Sequence, residues 1–113
     1  MKTISVVTSA YNEEESIEEL ARRLRAVFDE LSGYQFEVIV VENGSGDGTF
    51  DKLRRIHRED PRFKVVRLSR NFRMDGGVTA GLRYASGDAA IIMTAALILD
   101  LFFFNFIKKN RIG

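Results

Sequence analysis

Four short, apolar, β-rich runs, at residues 4–9, 36–41, 63–68 and 89–94, alternate with three stretches whose apolar residues recur at helical spacing. This alternation constrains the fold more than any other feature of the chain. The runs at 4–9 and 36–41, short and rich in β-branched apolar residues, read as buried strands, as a parallel central strand covered on both faces should be. The order β-α-β-α-β-α-β therefore predicts an α/β fold: a Rossmann-like parallel sheet with helices on both faces.

The helices can be placed from their faces and punctuation. The first is predicted over residues 13–31. Ile17, Leu20, Ala21, Leu24, Val27, Phe28 and Leu31 share one side, while Arg22, Arg23 and Arg25 fall off it. Asn12 is the expected N-cap with Glu15 reaching back, Glu13, Glu14 and Glu15 suit the helix dipole, and Gly33 is the expected left-handed stop. The second helix, over 49–57, should turn Phe50, Leu53 and Ile56 inward before Asp60-Pro61 breaks it. The third, over 76–85, ends in the turn Ser86-Gly87-Asp88.

The 113 residues suffice for one small core, and the chain has no cysteine, which excludes a disulfide framework or a thiolate metal site. Met1-Lys2-Thr3 leads straight into a strand without the zones of a signal peptide, so a cytoplasmic setting is expected. The net charge of +1 conceals an asymmetry: residues 1–50 hold ten acids and four bases, and residues 51–113 hold six acids and thirteen bases. The basic half can face phosphates or an anionic membrane, or be an ordinary solvated surface. No nucleic-acid partner is expected.

In a parallel sheet, ligands bind outside the carboxyl ends of the strands. Residues 9–13, 42–49 and 69–75 should therefore share one rim. On the residues alone, Glu13 is either a helix-dipole carboxylate or an acceptor for ligand hydroxyls, and the loop 42–48 is either a Gly/Asp turn capping the next helix or a ligand loop. Gly44 and Gly48 are expected to supply unusual backbone angles. Gly44, Gly46 and Gly48 do not make a dinucleotide fingerprint, because Thr49 stands where its last glycine belongs. Arg70 and Arg73 are either phosphate contacts or surface charges. His57, the sole histidine, has no partner cluster in the sequence and reads as structural.

The segment from Ile4 to Glu13, ending Ala10-Tyr11-Asn12-Glu13, resembles the opening strand of family 2 glycosyltransferases. Val41-Glu42-Asn43-Gly44-Ser45-Gly46-Asp47-Gly48-Thr49 resembles their second strand end and its Asp-Asp-Gly-Ser-x-Asp-Gly-Thr loop. Leu68-Ser69-Arg70-Asn71-Phe72 with Gly77 and Ala80-Gly81-Leu82 resembles the third block, and Ser86-Gly87-Asp88 before Ile91-Ile92-Met93 resembles the fourth. The resemblance covers residues 3–94 and is nearest to transferases acting on polyprenyl phosphates. It implies a nucleotide-diphospho-sugar transferase fold of the GT-A type and an inverting displacement at the sugar's anomeric carbon. It implies a nucleotide-diphosphate sugar as donor and a lipid-phosphate acceptor at a membrane surface. It also implies a site containing Ala10, Tyr11, Glu13, Asn43, Gly44, Ser45, Asp47, Asn71 and Gly77. Asn43 stands where the family carries an aspartate that accepts the uracil N–H; its oxygen still accepts, without the charge.

The family also implies a divalent cation, Mg or Mn, held by an Asp-x-Asp motif after the fourth strand. Here that stretch reads Thr94-Ala95-Ala96-Leu97-Ile98-Leu99-Asp100. No carboxylate stands at 94 or 96, so no metal ligand is assigned and the catalytic residues are unassigned. The expected division is a nucleotide-sugar-binding half at 1–94 and a divergent or frame-shifted apolar tail at 95–113, with transfer impaired. The competing reading is a noncatalytic module anchored by a membrane segment over 89–107. Exposed sheet edges leave homodimerisation open.

Overall fold

The computed structural model describes residues 1–69 and 74–99. Strands β1 (Thr3–Ala10), β2 (Gln35–Glu42), β3 (Phe63–Arg67) and β4 (Ala89–Ile92) form one sheet in the order β3-β2-β1-β4, with every pairing parallel. Helices α1 (Ile17–Glu30), α2 (Thr49–Glu59), α3 (Met74–Tyr84) and the short α4 (Ala95–Ile98) complete it. The expected α/β order is the observed one.

Both faces of the central strands β1 and β2 are covered, which is why most of their residues are buried and apolar. On one face Val6, Phe36, Val38 and Val40 pack with Leu20, Leu24 and Phe28 of α1 and Leu53 and Ile56 of α2. Phe28 stacks on Phe36 at 4.2 Å between centroids. Burying each such side chain contributes about 1.5–3 kcal/mol. The other face, with Val7, Ile39 and Val41, lies under α3. That approach requires a glycine: a Cβ on Gly81 would stand 2.5 Å from Val7 Cγ1 and 2.9 Å from Val41 Cγ2.

Several local expectations are corrected. Helix α1 begins at Ile17, after a turn in which the carbonyl of Glu13 accepts the amides of Ser16 and Ile17 at 3.0 and 2.9 Å. Asn12 is not its cap. It sits in the left-handed region at φ 52, and its side chain is spent on the second loop. Gly33 is not left-handed; α1 closes through the amide of Leu31 on the carbonyls of Val27 and Phe28. Phe50 is half-buried rather than inward, with guanidinium groups over its ring. Strand β4 is exposed along its whole length, and among the described residues β1 is its one neighbour. Residues 89–92 are strand, so a membrane helix does not start there. Among the described residues no helix is long and apolar enough to cross a membrane.

The amino ends of the strands are tied by a buried carboxylate. Glu37 of β2, 5% exposed, accepts hydrogen bonds from Ser5 Oγ at 2.6 Å, Lys64 Nζ at 2.9 Å, and both the amide and hydroxyl of Ser86. Ser5 Oγ in turn accepts the Gly87 amide at 2.8 Å, and Thr3 and Asp88 exchange two bonds. Burial pushes the Glu37 carboxyl up, but these donors outweigh it and carry it down to about 2.

Candidate nucleotide-binding rim

At the carboxyl ends of β1 and β2 two loops are sewn together. The chain leaves β1 at Ala10, whose carbonyl accepts the Asn43 amide at 2.8 Å. Asn12 then makes a reciprocal pair: its amide donates to Ser45 Oγ at 2.9 Å, and its Oδ1 accepts the Gly46 amide at 3.0 Å. The left-handed turn at Asn12 makes this pair possible, and asparagine tolerates that conformation better than most residues. Gly44, at φ 78, supplies the matching reversal in the second loop. Gly48 is not left-handed, at φ −81, and the one neighbour a Cβ there would meet is the carboxylate of the exposed Glu14, which can swing aside.

Asp47 and Thr49 complete the seam. Thr49 Oγ1 donates to Asp47 Oδ1 at 2.5 Å and accepts the Glu13 amide at 2.9 Å. Asp47 also accepts the amides of Thr49, at the start of α2, and of Glu14. The Thr49 hydroxyl, with help from these amides, holds the Asp47 carboxyl below the usual carboxylate range. The turn reading of this loop is realised in the same residues that shape the rim; the expected cap at Asp47 or Thr49 is not, since Gly48 holds the N-cap position of α2 without a side-chain bond.

Of the sequence-derived residues, Ala10, Tyr11, Glu13, Asn43, Gly44, Ser45 and Asp47 come together here. Gly77 joins them from α3: a Cβ on it would lie 3.6 Å from Asn43 Nδ2 and 3.7 Å from Ser9 Cβ. Asn43 is 5% exposed, and the Tyr11 ring is open to solvent. Glu13 is half-buried, and its Oε2 accepts the Ser16 hydroxyl at 3.0 Å. Asn71, Arg70, Arg73 and Asp100 lie outside the described residues. His57 binds the Phe63 carbonyl through Nδ1 at 2.6 Å, a structural contact.

Sequence reasoning missed two charged residues at this rim. Glu42, the last residue of β2, is 0% exposed. Its Oε1 accepts the Ser45 amide at 2.7 Å, while its Oε2 accepts no hydrogen bond among the described residues. Arg67, at the end of β3, brings Nε to 3.6 Å of that oxygen and lies 4.1 Å from the Phe50 ring centroid. A carboxylate ending an apolar strand, and an arginine ending the next, were the available signals.

After β4 the backbone turns into α4, whose Ala95 and Ile98 are buried in the core. The described side chains at 94–96 offer one hydroxyl and no carboxylate. They do not fit a divalent cation, which takes oxygen ligands rich in carboxylate.

A family model for "Glycosyl transferase family 2" matches residues 5–99. An uncharacterized glycosyltransferase, YkcC, of Bacillus subtilis is 39% identical over 93 residues, covering 82% of this chain and 28% of its own. The undecaprenyl-phosphate 4-deoxy-4-formamido-L-arabinose transferase of Pseudomonas syringae is 37% identical over 98 residues, covering 86% and 29%. Among solved structures, the mannosyltransferase PcManGT of Pyrobaculum calidifontis in complex with GDP-Man and Mn2+ superposes with a TM-score of 0.71 at 26% identity, covering 81% of this chain and 27% of that one. The chain thus spans less than a third of the length of these relatives. The parallel sheet, the paired loops at its carboxyl rim and the match over residues 5–99 agree, and the chain belongs to glycosyl transferase family 2.

Proposed function

We propose that this chain is the donor-binding part of a transferase that moves a sugar from a nucleotide diphosphate onto a lipid phosphate. The observation that carries the reading is the single rim made by residues 10–14 and 43–49, with Asn43 buried beside Gly77. Asn43 Oδ1 would accept the N–H of the base edge, and Glu13 would accept ribose hydroxyls. Ala10, Gly44 and Ser45 shape the backbone around the nucleoside, and Tyr11 offers an exposed ring beside it. Asp47 positions the two loops rather than touching the donor. The relative acting on undecaprenyl phosphate and the neighbour holding GDP-Man support these ligand classes. An acceptor phosphate is already anionic and needs less help from a general base than a hydroxyl does.

A bound divalent cation would neutralise the departing diphosphate, the main electrostatic demand of such a transfer. The described residues after β4 do not supply its ligands. We infer weak donor affinity and little transfer, and α4 in place of a carboxylate turn also favours a noncatalytic nucleotide-binding role. Calorimetric titration of UDP, GDP and their sugar conjugates, with and without manganese, tests this. Weak binding insensitive to manganese is expected. Tight manganese-dependent binding would show that a metal ligand is present after all, and no binding of any nucleotide would remove the proposal.

A further inference from the structure

Away from the rim, the outer face of α2 and the edge strand β3 enclose an open groove of about 380 Å³ lined by Phe50, Arg54, His57, Arg58, Lys64 and Val65. The four α2 residues fall on one helix face by their spacing. Among the described residues, no acidic side chain lines the groove. Among the described residues, Arg54 and Arg58 make no ion pair, whereas Lys64 is paired with Glu37 and Arg55, elsewhere on α2, with Glu18 at 3.6 Å. Arg54 lies 5.7 Å from the Phe50 ring centroid. His57 must donate from Nδ1, because its partner, the Phe63 carbonyl, only accepts; Nε2 is then the ring's remaining polar atom. The chain's basic half thus places two guanidinium groups, neither in an ion pair among the described residues, beside an apolar floor.

The geometry points to a second ligand site here, for a phosphate-bearing anion. Guanidinium groups match phosphate oxygens in bidentate fashion, and Phe50 and Val65 give an uncharged part of the ligand a surface to rest on. A soluble phosphorylated molecule and an anionic lipid headgroup present the same chemistry.

Two titrations of the full chain separate these sources: inorganic pyrophosphate by calorimetry, and co-sedimentation with phosphatidylglycerol vesicles against phosphatidylcholine vesicles. Saturable, salt-sensitive binding to at least one probe is expected. Pyrophosphate alone would identify a soluble ligand, and phosphatidylglycerol alone a headgroup. The double substitution Arg54→Glu with Arg58→Glu should weaken binding by at least about tenfold, as expected for losing charge-assisted bonds, and leave UDP affinity unchanged. If circular dichroism shows that this variant is unfolded, Arg54→Gln with Arg58→Gln replaces it. Arg55→Glu, outside the groove, should have little effect. The site is overturned if neither probe binds saturably, or if Arg55→Glu weakens binding as much as the groove variant.

Discussion

Strand β2 buries a glutamate near each end, and the two are treated in opposite ways. At the amino end, Glu37 is surrounded by donors from β1, β3 and the turn before β4. At the carboxyl end, Glu42 is more deeply buried, yet one of its oxygens accepts no hydrogen bond among the described residues and meets an arginine at 3.6 Å. A buried carboxylate with every donor in place fixes the fold; one left short of donors costs stability and belongs where selection acts on something else. The first pole is a structural clasp and the second is the rim that the nucleotide reading uses.

The largest expected effect is at the clasp. Glu37→Ala leaves the buried Ser5 hydroxyl without its acceptor, while the half-exposed Lys64 ammonium turns to solvent, and should cost about 2–3 kcal/mol in chemical denaturation. The same residue sets an acid limit. Its folded pKa of about 2 lies below its ordinary 4.5, so its contribution is fully present above about pH 4.5 and is lost as pH falls through about 2. Glu37→Gln should flatten that part of the stability-against-pH curve.

The glycines of the two poles should differ next. A Cβ on Gly87 would meet the Thr3 carbonyl at 2.7 Å and Ser5 Oγ at 2.6 Å, so Gly87→Ala should cost about 1–3 kcal/mol. At the rim, Gly77→Ala makes ordinary contacts inside a helix and should be neutral or stabilising by up to about 1 kcal/mol. Glu42→Gln keeps an acceptor for Ser45 and should shift stability by less than about 1 kcal/mol. The smallest effect is local: Asp47→Ala should speed hydrogen exchange at the Glu14 and Thr49 amides without changing the global midpoint. Equal destabilisation at both poles would dissolve the distinction between them.

Much of this was legible in the sequence, for identifiable reasons. Periodicity dictates the element order, and parallel-sheet geometry alone puts residues 9–13 and 42–49 on one rim. The start of α1 was not legible, because Asn12 is drawn from a cap role by Ser45 and Gly46, more than thirty positions away. The exposure of β4 was not legible either, since Ala89–Ile92 reads the same at an edge as at the centre. Glu37 and Glu42 look alike in sequence; only the residues that three strands bring to each separate their roles.

Nuclear magnetic resonance mapping of a UDP titration tests the central claim most directly. Amide shifts concentrated at residues 10–14, 43–49 and 77, with Ser5, Glu37 and Ser86 silent, are the predicted result. Shifts centred on the Glu37 clasp, or spread without preference over the sheet, would contradict it.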